Sequence, residues 1–148
     1  MSVTTNILVP LDGSDLAVEA VDVAVGLAKP SGGKLTLFVA ADPEAAAALH
    51  GFADAADMTR AMAADAYLDQ VAARVQEQGL DVVKTSSDAT SAAVEILDRA
   101  AADDITMIVM SSHGRSGIGR WLLGSVAEKV ARSSTVPVLI VPSPGRGE

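Results

Sequence analysis

The feature that most constrains this chain is an alternation of two kinds of segment. Short runs rich in β-branched residues are separated by longer stretches with helical periodicity. The runs read NILVPL (residues 6–11), LTLFVA (35–40), LDVVKTS (80–86), ITMIVM (105–110) and VPVLIV (136–141). Between them, Val18, Val21, Val25 and Ala28 share one helical face, as do Met58, Met62, Leu68, Val71 and Val75 over residues 57–78. A third helix is expected from Thr90, with Val94, Leu97 and Ala101 inward, and a fourth over residues 124–133. Punctuation agrees with these bounds. Ser14 can cap the first helix, with Asp15 in its first turn. Ser31-Gly32-Gly33 ends that helix, and Gly79 stops the second. Such alternation implies a parallel sheet with helices on both faces and right-handed crossovers. The near-continuous apolar run ITMIVM fits a strand buried on both sides.

The expected fold class is therefore α/β: a single open parallel five-stranded sheet, order 3-2-1-4-5, Rossmann-like, in one domain over residues 1–148. In that order the sheet reverses direction between strands one and four, and ligands bind at the carboxyl ends beside such a reversal. Two segments should then matter: Pro10-Leu11-Asp12-Gly13 and the loop after Met110. Pro10 lacks a ladder donor and suits a place where neighbouring strands have parted. An aspartate at the strand end could bond ribose hydroxyls or an adenine amine, or approach a metal. Equally, Asp12-Gly13 could simply form the turn into the helix.

The second segment reads SSHGRSGIGRWLLGS (residues 111–125). Gly114 lets backbone approach a ligand, and Gly117 and Gly119 add looseness. Gly124-Ser125 opens a helix, where unpaired N–H groups and the dipole favour an anion. Arg115 and Arg120 place positive charge in a chain of net charge −8. A phosphate site and a plain flexible connection leading to a capped helix both fit these residues. Trp121, Leu122 and Leu123 could anchor the loop by packing or belong to an interface. Residues 42–56, alanine-rich and broken by Pro43 and Gly51, read as a surface excursion or a lid. Residues 146–148 read as a frayed tail.

Composition closes off other classes. The acidic balance argues against nucleic acid and anionic membranes as partners. No cysteine is present, which removes disulfides and thiol chemistry. No apolar run is long enough to span a bilayer, and the first residues do not read as a signal peptide, so a cytoplasmic location is expected by elimination. Neither His50 nor His113 has a ligand partner at metal-binding spacing, so no protein-built metal site is expected. No Ser-His-Asp set and no Walker A or G-x-G-x-x-G motif can be argued. Ser31-Gly32-Gly33-Lys34 lies between a helix and a strand, the wrong context for a phosphate loop, and reads as a helix stop.

Taken together, ILVPLDGSD near the start and SSHGRSGIGRWLLGSVAEKVARSSTVPVLIVP near the end resemble the universal stress protein family over essentially the whole chain. The nucleotide-binding branch carries a glycine, two residues, a second glycine, nine residues, then Gly-Ser or Gly-Thr. Gly114 matches the second glycine, and Gly124-Ser125 follows at the same spacing; Ser111 stands where the first glycine would be. The resemblance implies ATP as ligand, with ADP or AMP as variants. Pro10 and Asp12 would meet the nucleoside, and the backbone of Val39 the adenine. Phe38 precedes it where many relatives have histidine. Met110 and Ser111 would flank the ribose. Gly114, Gly124, Ser125 and Val126 would hold the phosphates. Mg2+ or Mn2+ would be held chiefly by phosphates and water. A homodimer through the closing strand, from Val136 to Val141, is implied as well, covering an apolar edge.

The leading expectation is a nucleotide-dependent signalling or stress-adaptation module with an unidentified protein partner. No catalytic residue is assigned, since no base to orient water is found; at most, slow ATP hydrolysis or autophosphorylation is expected. A nucleotide-free dimeric interaction module is the alternative, which Ser111 favours and Gly114 and Gly124-Ser125 oppose.

Overall fold

The computed structural model describes residues 4–40, 60–87, 91–102, 104–113 and 123–142. Five strands form one parallel sheet: β1 (Asn6–Leu11), β2 (Lys34–Ala40), β3 (Asp81–Ser87), β4 (Met107–Ser111) and β5 (Val138–Val141). Their order across the sheet is β3-β2-β1-β4-β5, as the alternation requires. Four helices are described: α1 (Asp15–Ala28), α2 (Arg60–Gln76), α3 (Ala92–Ala102) and α4 (Ser125–Ser133). The Lys29–Ser31 turn of 3-10 helix follows α1.

Side-chain alternation along the strands builds two cores. Ile7, Val9, Leu11, Leu35, Leu37 and Val39 point to the face covered by α1 and α2. Leu8, Phe38, Ala40, Ile108 and Met110 point to the face covered by α3 and α4. With aromatics at 3%, close approach of small residues replaces bulk. The buried face of α1 is Ala17, Ala20, Val21, Ala24 and Ala28.

Three helical faces differ from the periodicity reading. On α1, Val18 and Val25 lie at the border of the stripe, and alanines take the centre. On α2, Met62 is half exposed, and Ala63, Ala64 and Tyr67 occupy the core beside Leu68, Val71 and Val75. On α3, Val94 and Ala101 are exposed, while Ala93, Ile96 and Ala100 are buried. The α3 stripe is rotated by one residue, onto Ile96 with alanines at i−3 and i+4, while Leu97 is half-buried beside it. Strand bounds moved by at most two residues: β4 starts at Met107 rather than 105, and β5 at Val138 rather than 136. Met58, Thr90 and residues 42–56 fall outside the described residues.

The amino ends of the strands are tied by a buried polar cluster. The backbone N–H of Asn6 donates to Thr106 Oγ1 at 3.0 Å, and the Asn6 carbonyl accepts from the Thr106 N–H at 2.9 Å. Thr36 Oγ1 donates to Asn6 Oδ1 at 2.9 Å. Asn6 and Thr36 are both buried, so these bonds cross-link β1, β2 and the start of β4 where water cannot compete.

Candidate functional site at the parting of two strands

β1 and β2 stay in register over six residue pairs, from Asn6↔Lys34 to Leu11↔Val39. β1 and β4 share only two, Ile7↔Met107 and Leu8↔Ile108. Beyond Leu8 the two strands separate while each keeps its outer neighbour. Pro10 sits two residues past the last shared pair, which is how the central strand of a sheet accommodates it. The parting lies at the carboxyl ends, where the strand order reverses.

Asp12 leaves β1 at one lip of this parting. Its Oδ1 accepts from the Ser14 N–H at 2.9 Å and from Ser14 Oγ–H at 2.6 Å. Ser14 Oγ in turn accepts from the Ala17 N–H at 3.2 Å, capping α1. Gly13, at φ +86°, makes the turn between them, a conformation that costs other residues energy. Asp12 is therefore held by the start of α1, which fixes its direction.

Tyr67 of α2 packs behind this lip and is 2% exposed. Its phenol is pushed up to about 12, first by burial and then by the negative charge of Asp12; a hydrogen bond with the Gly13 backbone works the other way, and Asp15 adds a smaller push upward. Sequence reasoning passed over Tyr67, although it lies four residues before Val71 on the apolar stripe of α2.

The other lip is built from β4 and α4. Ser111 pairs with Val141 of β5, and its Oγ donates to the His113 carbonyl at 2.9 Å. That hydroxyl is turned onto the backbone and knits the bend at residues 111–113. The Ser112 N–H donates to the Val141 carbonyl at 2.8 Å, and the Gly124 N–H donates to the Ser112 carbonyl at 2.8 Å. Gly124 is the N-cap of α4, without a side-chain cap bond. A Cβ on Gly124 would sit 3.2 Å from the Ser112 carbonyl oxygen and 3.4 Å from His113 Cα. Glycine thus lets the helix start lie directly on the bend after β4. Ser125, the first residue of α4, is exposed, and Val126 is half-buried.

Ser112 and His113 are buried at this bend, with Ser112 Oγ and His113 Nδ1 3.1 Å apart. Sequence reasoning set His113 aside because only metal and triad roles were tested for it. Its position one residue before Gly114 was the available signal.

The other expected site residues fall as follows. Val39 is fully buried at the end of β2 opposite Leu11, and Met110 is buried on the α3/α4 face. The structure brings together Ser111, Gly124, Ser125 and Val126 on one lip, and Pro10 and Asp12 on the other. Gly114, Arg115, Gly117, Gly119, Arg120, Trp121 and Leu122 lie outside the described residues, as does His50. Among the described residues no three His, Asp or Glu side chains cluster to hold a metal, and no helix is long and apolar enough to cross a membrane.

Sheet order, the parted strands and the helix start after β4 define a doubly wound α/β protein with its crevice at the switch point. The particular group is settled by comparison: a model of the universal stress protein family matches residues 4–142, and the chain belongs to that family. It is 31% identical to universal stress protein YxiE of Bacillus subtilis, with 90% of this chain and 96% of the relative covered. It is similar in structure to universal stress protein UspA from Lactobacillus plantarum, with a TM-score of 0.73 at 26% identity over 95% of this chain and 99% of that one. A crystal structure of a universal stress protein in complex with cAMP superimposes with a TM-score of 0.69 at 25% identity, covering 97% of this chain and 100% of that one.

Proposed function

We propose that this chain is an ATP-binding universal stress protein, a nucleotide-dependent signalling module that acts as a homodimer. The observation that carries this reading is the parting of β1 and β4 after Leu8↔Ile108, with Asp12 leaving one strand and Gly124-Ser125 opening a helix after the other. The complex of a structurally similar family member with cAMP supports an adenine nucleotide as the ligand class.

The residues present fit such a ligand. Gly124 has no Cβ where the helix start lies on the bend after β4, and exposed Ser125 begins a nine-residue helix whose first N–H groups favour an anion. In this reading Pro10 and Asp12 meet the nucleoside, the Val39 backbone meets adenine, and Met110 and Ser111 flank the ribose. Gly114, Gly124, Ser125 and Val126 hold the phosphates. Mg2+ or Mn2+ is carried by phosphates and water. Asp12 is already oriented by Ser14, so it binds without reorganising. No group is assigned to activate water, and fast turnover is not expected. Occupancy would instead change the surface that a protein partner meets.

Calorimetric titration with ATP and magnesium tests this on wild type and on Gly124→Asp, both checked for folding. The aspartate crowds the Ser112 carbonyl and repels phosphate, so the variant should lose at least about a hundredfold in affinity. Absence of wild-type binding, in protein freed of carried-over nucleotide, would sink the ATP reading. The dimer is tested separately. β5 is an edge strand with Leu139 37% exposed, and a second copy pairing there would cover it. Light scattering should report a dimer that Leu139→Lys weakens; a wild-type monomer at high concentration rules the pairing out.

A further inference from the structure

Asp12 is held from the side of α1, where its Oδ1 accepts from the Ser14 N–H and from Ser14 Oγ–H. The turn that carries it is supported from a second side. Tyr67 of α2 is 2% exposed. It belongs to the same core cluster as Leu11, the residue before Asp12, and Ala17, whose N–H donates to Ser14 Oγ. Its phenol bonds with the backbone of Gly13, the residue that turns the chain at φ +86°. The sense of that bond follows from its effect on the phenol. Burial first, and the Asp12 charge second, hold the phenol above its ordinary range, while the Gly13 bond pulls it down. A carbonyl accepting from the phenol would stabilise the protonated ring and push upward instead. The donor is therefore the Gly13 N–H, and the phenol oxygen accepts. Two helices thus grip one turn: α1 holds the Asp12 carboxylate, and α2 holds the Gly13 peptide.

We propose that Tyr67 is a positioning residue for the nucleoside end of the site: its phenol oxygen pins the Gly13 N–H, and through that turn it sets where Asp12 meets the ligand. The proposal rests on the nucleotide reading above and adds a residue from α2, outside the strand-end and helix-start segments. Glycine has more backbone freedom than any other residue, so an unpinned Gly13 would let the Asp12 carboxylate sample more directions. Ordering it again would then weigh against binding. Being buried, Tyr67 touches no ligand in this reading and acts only through the turn.

Titration of ATP and adenosine into wild type, Tyr67→Phe, Asp12→Ala and the double variant tests this. Phenylalanine keeps the packed ring and removes only the acceptor. Tyr67→Phe should weaken both ligands by the same factor, about three- to tenfold, because Asp12 meets the nucleoside that they share. In the Asp12→Ala background the same change should have almost no further effect on ATP. A merely structural loss would weaken ATP equally in both backgrounds, and that result overturns the proposal. Unchanged affinity in Tyr67→Phe, or weakening of ATP alone, overturns it too and leaves the ATP reading standing through Gly124→Asp. If wild type binds neither ligand, both fall. Hydrogen exchange supplies a readout free of ligand. The Gly13 amide should exchange slowly in wild type and at least about fivefold faster in Tyr67→Phe, with core amides of β1 such as Leu8 unchanged. An unprotected Gly13 amide in wild type, or equal acceleration throughout β1, overturns the proposal.

Discussion

At the amino ends of its strands this sheet is closed, and at the carboxyl ends it is open. The closed end spends its polar groups on itself: Asn6, Thr36 and Thr106 bond one another across three strands, and the Lys34 N–H donates to the Thr5 carbonyl at 2.9 Å. The open end directs its polar groups to the turns that follow the strands. Asp12 bonds forward to Ser14, Ser111 bonds forward to the His113 carbonyl, and β1 parts from β4. Both ends contain buried polar side chains and tight glycines. The difference is that cross-strand bonds fix the register, whereas forward bonds shape a rim and leave the space between strands to something else. Stability should therefore be concentrated at one end and ligand affinity at the other.

The largest expected effect breaks the closed end. A Cβ on Gly33 would stand 2.6 Å from the Thr5 carbonyl oxygen, a contact that backbone must move to relieve. Gly33→Ala should cost about 2–3 kcal/mol of stability in urea denaturation, with nucleotide affinity of the folded fraction unchanged. A matching loss of affinity would mean that the two ends are coupled.

Tyr67 gives the next effect, and it depends on pH. Its phenol titrates near 12 in the folded chain against about 10 when unfolded, so above pH 10 the unfolded state loses its proton first. The folded form then binds more protons, and stability falls as pH rises from 10 to 12, by on the order of 2 kcal/mol. Tyr67→Phe should remove that part of the alkaline loss. Identical alkaline profiles for wild type and variant would mean that the phenol is not held buried beside Asp12.

Ser14→Ala removes the α1 cap and one of the two bonds that orient Asp12, the one from Oγ–H, and keeps the backbone N–H bond. It should cost about 1 kcal/mol of stability and weaken ATP by up to several-fold, because Asp12 is then held by a single bond from that residue. Thermal melts and titration on the same sample separate the two. The smallest effect is expected from Ser111→Gly, which restores the family's glycine. Its hydroxyl already faces the His113 carbonyl rather than the crevice, so affinity should change less than about threefold and stability by about 0.5–1 kcal/mol. A large gain in affinity would show that the serine obstructs the ligand.

The sheet order was legible in the chain because strand runs and helix stops alternate from NILVPL to VLIV, broken only by the stretch over residues 42–56. The parting beside Pro10 was legible too, since proline in a central strand has few other homes. The inward face of α1 was half legible, with Val21 and Ala28 buried as expected, and that of α3 was not. Where alanine fills the contact, hydropathy weighs it below valine, and the phase of the stripe slides toward exposed residues such as Val94. Of the candidate site, the placing of Asp12 at a strand end and of Gly124-Ser125 at a helix start was visible from turn and capping chemistry. Tyr67 was not, because its contact with Gly13 joins segments more than fifty positions apart. Ser111 was visible only as a departure from the family's glycine; local backbone bonding, which no residue pattern displays, decides the direction of its side chain.

The buried phenol beside Asp12 has one more consequence. Tyr67 is the sole tyrosine of the chain, accompanied by a single tryptophan. A near-ultraviolet difference spectrum recorded during alkaline titration therefore follows one phenol with no background from others. The crevice comes with a native chromophore at its rim, and nucleotide arriving next to Asp12 should be visible in the protein's own absorbance, with no label attached.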